Sequence, residues 1–323
     1  MKRSTKDAIA SSLLLNCRDP MTKLRILVSL HSFQNDFQVA QAQSAEQTAR
    51  KLGVHVEIVS AEDDAVNQST QLLKAVQSQK ESRPDAIVLE PVGSTALPQV
   101  AKAANSIGVG WVVLNRRPEY LAELRRQGTA PAFAISADHE EIGRVQGRQF
   151  AALLPRGGSV LYIEGPSHSS SARERTAGML EMKPPNVQIT TLKANWTGES
   201  AAKAVLSWMK LATAQHAAID LVGAQDDTMA MGARKAFEQL ASGSERERWL
   251  NLPFTGCDGQ PATGQLWVKD KSLAATIYIA PLTGKAIEIL VAAMQGGAQP
   301  PEHTLTKPIS IPALEALTPR KSE

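Results

Sequence analysis

The sequence predicts an α/β protein built from two similar doubly wound lobes, each a parallel sheet with helices on both faces. Three observations carry this. Apolar runs of strand length recur along the chain and alternate with stretches of helical periodicity. The runs are continuously apolar rather than alternating, as strands covered on both faces must be. The chain of 323 residues also holds more strand–helix units than one such sheet comfortably takes, and it is long enough for two cores.

The first strand is LRILVSL, over residues 24–30. Val39, Ala42, Ala45, Ala49 and Leu52 follow at three- and four-residue steps, one face of a helix that stops before Gly53. HVEIVSA is the second strand, and Val66, Leu73 and Val76 mark the second helix. DAIVLEPV then leads into a helix through Val100, Ala104 and Ile107, and GWVVLNR follows. FAISA precedes a helix near 140–154, which runs into SVLYIEG. Next come a helix from Ala172, the strand VQITTLKA, a helix through Val205 and Met209, and AAIDLVGAQ. A helix over 228–240, the strands LPFTGCDG and LAATIYIA, and a helix near 282–294 complete the pattern. No Pro/Gly/Ser-rich tether separates the halves, which implies short hinge connections and a chain that crosses more than once.

Composition removes several function classes. Hydrophobic residues at 43% and charged residues at 21% describe an ordinary globular chain. A net charge of +3 without a basic run excludes a nucleic-acid-binding arm. Cys17 and Cys257 are too few for a disulfide framework, and the six histidines show no metal-ligand spacing, so neither metal nor cofactor is expected. The opening MKRSTKDAIASSLLLNCRDP has a basic start, a short apolar stretch and then Cys17, a pattern akin to a secretory or lipoprotein signal. AIASSLLL is too short to span a bilayer, and LLNC lacks the small residue usual before a lipidated cysteine. Two expectations stay open. A signal would place the protein in the periplasm or cell envelope, and a start at Met21 would leave it cytoplasmic.

In open α/β sheets ligands bind beyond the carboxyl ends of the strands. There HSFQNDF offers Phe33, Asn35 and Phe37, and NRRP offers Asn115 and Arg116. PSHSSSARER brings hydroxyls, His168, Arg173 and Arg175; NWTG brings Trp196; QDD and CDG bring Asp226, Asp227 and Asp258. Aromatics make up only 4% of the chain, so rings at strand ends stand out. A sugar needs this mixture, because its flat apolar faces stack on rings while its hydroxyls bridge cations, amides and carboxylates. Singly, each residue has a plain structural account: Asp258 as a turn residue, Trp196 as a core anchor, Arg116 as a surface charge. Their coincidence at strand ends is what argues for a site. Arg173 and Arg175 are two apart and cannot share a helical face, so Arg175 is assigned to the ligand and Arg173 to bracing the rim. His168 has no carboxylate to orient it and no GxSxG elbow is present, so the loop is not a serine hydrolase's. No GxGxxG opens a helix and no GxxxxGK[ST] occurs, which leaves a nucleotide-dependent enzyme without support.

NDF, LNR, SARER, AQDDTMAMGA, GCDG and LAATI, in that order across almost the whole chain, resemble the type I periplasmic sugar-binding proteins of the ribose, galactose and xylose class. These share their fold with the effector domains of LacI-type repressors. The resemblance implies two lobes on a three-strand hinge, closing on one monosaccharide or polyol, with an ABC-type permease or a sensor as partner. It implies lobes at 24–136 plus 281–304 and at 137–280 plus 305–323, behind a tail or signal segment at 1–23. The hinges would fall near 136–138, 280 and 305. The implied ligand contacts are Asn35, Phe37, Asn115, Arg116, Arg175, Trp196, Asp226 and Asp258, with Phe33 as an additional ring. The chain departs from the class's ribose binders in four places. A second adjacent ring is replaced by Gln38, an aspartate by Asn115, an asparagine by Asp226, and a glutamine falls at Ile279. An uncharged polyol is therefore expected rather than ribose itself, and loss of Arg175 or Trp196 is expected to cost affinity while hardly touching the ligand-free fold. The alternative is a cytoplasmic LacI-like effector-binding protein in transcriptional regulation without its own DNA-binding domain, since about twenty residues before the first strand are too few for a helix-turn-helix and hinge helix.

Overall fold

The computed structural model describes residues 23–319, apart from 94–96, 216 and 241–242, so the N-terminal segment that carries the signal question lies outside the described residues. Six parallel strands form the first sheet: β1 (Arg25–Leu30), β2 (His55–Ser60), β3 (Ala86–Leu89), β4 (Gly110–Leu114), β5 (Ala132–Ala137) and the late-returning β11 (His303–Thr306). Their order is β2-β1-β3-β4-β5-β11. Period-two alternation sends Leu27, Ile87, Leu89, Trp111 and Val113 to one face, under α2 (Ala65–Gln77), α3 (Pro98–Ser106) and α4 (Leu121–Gln127). Ile26, Val28, Leu30, Val88 and Val112 take the other face, under α1 (Asp36–Leu52) and α12 (Leu282–Gly296).

The second lobe repeats the plan. β6 (Gly158–Glu164), β7 (Val187–Lys193), β8 (Leu221–Ala224) and β9 (Phe254–Thr255) are parallel in the order β7-β6-β8-β9. β10 (Thr276–Tyr278) extends this array through the bridges Thr255–Ala275 and Asp258–Tyr278, and pairs with β12 (Ile309–Ile311). That last pair is antiparallel, a departure from the wholly parallel sheets expected. The surrounding helices are α5 (His139–Leu153), α6 (Ser170–Met182), α7 (Gly198–Met209), the short α8 (Ala212–Gln215), α9 (Asp227–Leu240), α10 (Gly243–Leu250) and α11 (Gly264–Lys269). The chain passes between the lobes from β5 into α5, from β10 into α12 and from β11 into β12.

Two helix faces differ from their apolar pattern. In α1 the buried residues are Phe37, Gln38, Gln41, Ala45 and Ala49, while Val39 and Leu52 are each 37% exposed. In α2 Val66 is 74% exposed and Gln68 is fully covered. The cause is polar: Gln41 Oε1 accepts from Leu282 N and Thr283 N at the start of α12, satisfying donors that a helix N-terminus leaves open. Gln68 likewise donates to Ser29 and the Glu90 carbonyl and accepts from Val92 N. Buried glutamines that satisfy backbone are invisible to hydrophobic periodicity. The helices α4, α8, α10 and α11 were also missed; they are short, and half of GSERERWL in α10 is charged.

One packing detail positions the site. A Cβ on Gly143 would lie 2.0 Å from the Arg175 carbonyl, and one on Gly178 would lie 2.0 Å from the Glu140 carbonyl. Glycine at both positions lets α5 and α6 touch backbone to backbone, which brings Arg175 of α6 onto His139 at the head of α5.

Candidate functional site

Between the lobes, beyond the carboxyl ends of both sheets, lies a cavity of about 690 Å³ including its mouth. Its first-lobe wall grows from the ends of β1, β3 and β4. Asn35 caps α1: its Oδ1 accepts from Gln38 N at 2.9 Å, leaving the amide nitrogen for the cavity. Glu90 follows β3, buried, and accepts from Gln38 Nε2 at 2.9 Å and from Asn115 Nδ2 at 2.8 Å. Asn115 follows β4 at φ 55°, a left-handed conformation that asparagine tolerates better than most residues. Arg116 then reaches across the cleft. Its Nη1 donates to the Asn115 carbonyl at 2.7 Å and to Ser171 Oγ of the second lobe at 2.7 Å.

The second-lobe wall is built on α6. Ser169 caps the helix, and Ser171 and Arg175, four apart, share one of its faces. Arg175 is 7% exposed; it donates through Nη1 to the Gln225 carbonyl and through Nε to His139 Nδ1 at 3.4 Å. A guanidinium only donates, so His139 accepts at Nδ1 and carries its proton on Nε2, 3.0 Å from Ser171 Oγ. Burial, Arg175 and Arg116 hold the imidazole pKa well below its usual range, so His139 stays neutral. Ser171 therefore accepts from both His139 and Arg116, and its own proton is left to donate into the cavity. Trp196, at φ 60° after β7, lies 5.5 Å from the Arg175 guanidinium. Its ring rests over Gly165, where any Cβ would stand 2.3 Å from Cζ2.

Three aspartates complete this wall. Asp226 is 3% exposed, and its Oδ1 accepts from Met229 N at 2.6 Å. Asp227 ties loops together, accepting from Gly259 N at 2.7 Å and from Thr276 Oγ1 at 2.6 Å. Asp258 lines the cavity from φ 100°. Burial pushes the pKa of Asp226 up to about 6, against the pull of Arg175. Burial and mutual repulsion also raise Asp227 and Asp258 well above the usual carboxylate range.

The cavity thus gathers Asn35, Phe37, Asn115, Arg116, Arg175, Trp196, Asp226 and Asp258. Phe33 is not on its wall and is 46% exposed. Phe37 does double duty: 9% exposed, it also packs with Ala137, Ile142, Val145, Cys257, Ile277 and Ile279, an apolar contact between the lobes. Ile279 is accordingly part of that contact rather than a polar ligand group. His168 is exposed and lies off this wall, and Arg173 turns outward to donate to the Ser167 carbonyl at 3.0 Å. Sequence reasoning missed Glu90, His139 and Gln225. Glu90 follows an apolar strand just as Asn115 does and was findable by the same rule, whereas His139 has no local signature. Among the described residues, no group of acids, histidines and cysteines is placed to hold a metal, and no helix is long and apolar enough to cross a membrane.

Residues 26–298 match the family described as the periplasmic binding protein domain. The chain belongs to the periplasmic binding protein family. Its members are substrate-binding proteins rather than enzymes. A ribose import binding protein of Bacillus subtilis (strain 168) is 27% identical over 259 residues, 80% of this chain and 77% of the relative. An ABC transporter periplasmic solute-binding protein from Actinobacillus succinogenes with bound D-allose superposes at a TM-score of 0.76. It is 21% identical and covers 91% of this chain and 98% of its own. A Caulobacter myo-inositol binding protein bound to myo-inositol gives 0.74 at 23% identity, covering 91% of this chain and 95% of its own. The shared fold is the two-lobed, doubly wound architecture described above.

Proposed function

We propose that this protein captures a monosaccharide or related polyol between its lobes and delivers it to an ABC-type importer or a sensor, working outside the cytoplasm and without catalysis. The observation that carries the reading is the pairing of Arg116 from the first lobe with Arg175 from the second. Around them stand the Asn35 amide, the Ser171 hydroxyl, the Asp226 and Asp258 carboxylates and the Trp196 ring. A polyol hydroxyl donates and accepts at once, so it bridges a guanidinium to a carboxylate and leaves neither unpaired. Binding proteins for ribose, allose and myo-inositol among the relatives support the same class of ligand.

In this reading the lobes are 24–136 plus 281–304 and 137–280 plus 305–323, hinged near 136–138, 280 and 305. Asn35, Phe37, Asn115, Arg116, Arg175, Trp196, Asp226 and Asp258 contact the ligand, and Phe33, off the cavity wall, is left out of the set. Each lobe contributes half of the groups, so the ligand's full set of bonds forms only when the lobes close, and the ligand holds them closed. Calorimetry against pentoses, hexoses, cyclitols, sugar phosphates, amino acids and nucleotides tests it. Micromolar or tighter binding, about −8 kcal/mol or better, is expected for a member of the first three groups. Tight binding confined to the last three would overturn the reading.

A further inference from the structure

We propose that the cavity selects a polyol bearing a protonated amino group, an amino sugar or aminocyclitol, with the ammonium seated against Asp226 and Asp258; this deepens the polyol reading and rests on it. The two walls differ in charge. On the first-lobe wall the carboxylate of Glu90 is held by two amides, Gln38 and Asn115, and Arg116 stands beside it as a single countercharge. On the second-lobe wall one cation, Arg175, faces the buried carboxylates Asp226, Asp227 and Asp258, and Asp36 at the start of α1 adds its negative field to all three. Two of the five donors of Arg175 are already committed, to the Gln225 carbonyl and to neutral His139, and neither partner is an aspartate.

Both oxygens of Asp227 are occupied, by Gly259 N and Thr276 Oγ1. Asp226, 3% exposed, accepts only from backbone N–H groups, Met229 at Oδ1 and Thr228, has no cationic partner in hydrogen-bond contact, and lines the ligand space together with Asp258. Unlike an amide, a carboxylate can only accept, so whatever the ligand presents to Asp226 must donate. A buried carboxylate lacking a countercharge is relieved by a proton or by a cation. The raised pKa values of this group are the first form of relief. An ammonium is the second, since it brings a full positive charge and three donors at a position where a hydroxyl brings one. A uronate or phosphate placed there would be repelled.

The test is calorimetry near neutral pH on matched triplets: a hydroxyl compound, its amino-deoxy counterpart and the N-acetylated form. Glucose, galactose and myo-inositol supply the parent compounds. At least one amine should bind about tenfold tighter than its hydroxyl counterpart, and acetylation, which removes the charge, should abolish that gain. Asp226→Asn should bring the affinities of the free amine, its acetylated form and the hydroxyl compound to within about threefold of one another, whatever their common level. If that variant fails to fold, the comparison of free and acetylated amines on the native protein decides alone. Tight binding of a hydroxyl member with no amine preference in any triplet overturns this inference and leaves polyol capture standing. Binding by no member overturns both.

Discussion

Replacing Arg175 with alanine should damage the ligand-free protein as well as ligand affinity, and the damage should depend on pH. The guanidinium is 7% exposed and donates to Gln225 and His139. Its charge is also the largest influence opposing the raised pKa of Asp258, and for Asp226 it is second to the Met229 N–H bond. Breaking a buried charge arrangement by removing one partner costs about 3–5 kcal/mol, and that is the loss expected near pH 8. This corrects the sequence expectation that the ligand-free fold would hardly notice. The folded pKa of Asp226, about 6, lies above its ordinary value of 3.8, so in that interval the native state holds a proton that the unfolded chain has released. Stability from this group is therefore highest below about pH 4 and declines as pH rises through 6. Without Arg175 the aspartates hold their protons still more tightly, and the decline steepens. Urea denaturation of ligand-free protein, followed by tryptophan fluorescence, should show a deficit at pH 8 that shrinks substantially at pH 5. A deficit below about 1 kcal/mol, or one equal at both pH values, would refute the reasoning.

Two further substitutions separate wall from wedge. Phe37→Ala should cost about 3 kcal/mol of ligand-free stability, because the ring is buried in the apolar contact between lobes. Trp196→Ala, half-buried, should cost less than about 2 kcal/mol while affinity falls at least tenfold; the opposite ranking in thermal melts would contradict the assignment. Ser171→Ala removes the oxygen shared by Arg116 and His139 across the cleft. Small-angle scattering should then show a larger radius of gyration for the ligand-free protein, and affinity should drop about tenfold; unchanged scattering and affinity would mean the contact does not hold the lobes.

The order of strands and helices was legible because apolar runs announce buried parallel strands directly. The strand-end rule found Asn35, Asn115, Arg116, Arg175, Trp196, Asp226 and Asp258 because a doubly wound sheet sends those loops to one edge. It failed where chemistry is assembled across the fold. His139 acquires its meaning only because Gly143 and Gly178 let α5 and α6 meet, and no spacing in the chain records that contact. Glu90 stands just past the apolar run of β3, so it sat within the strand pattern DAIVLEPV and was not read as a strand-end group. Phe37 was legible as a ring near the ligand but not as the contact between lobes, since its partners Ala137, Cys257 and Ile277 lie far away in sequence. The periodicity rule caught Ala45, Ala49 and Val76, but Gln41 and Gln68 occupy core positions to satisfy backbone, so the buried faces of α1 and α2 are rotated from the apolar pattern.

The most direct measurement of the central claim is a crystal structure of the protein with the tightest-binding polyol found by calorimetry. The account predicts one molecule enclosed between the lobes, its ring face on Trp196. Its polar groups should be bound by Arg116 from one side and by Arg175 and Asp258 from the other. A ligand seated outside this cavity, or inside it without contact to either arginine, would contradict the account.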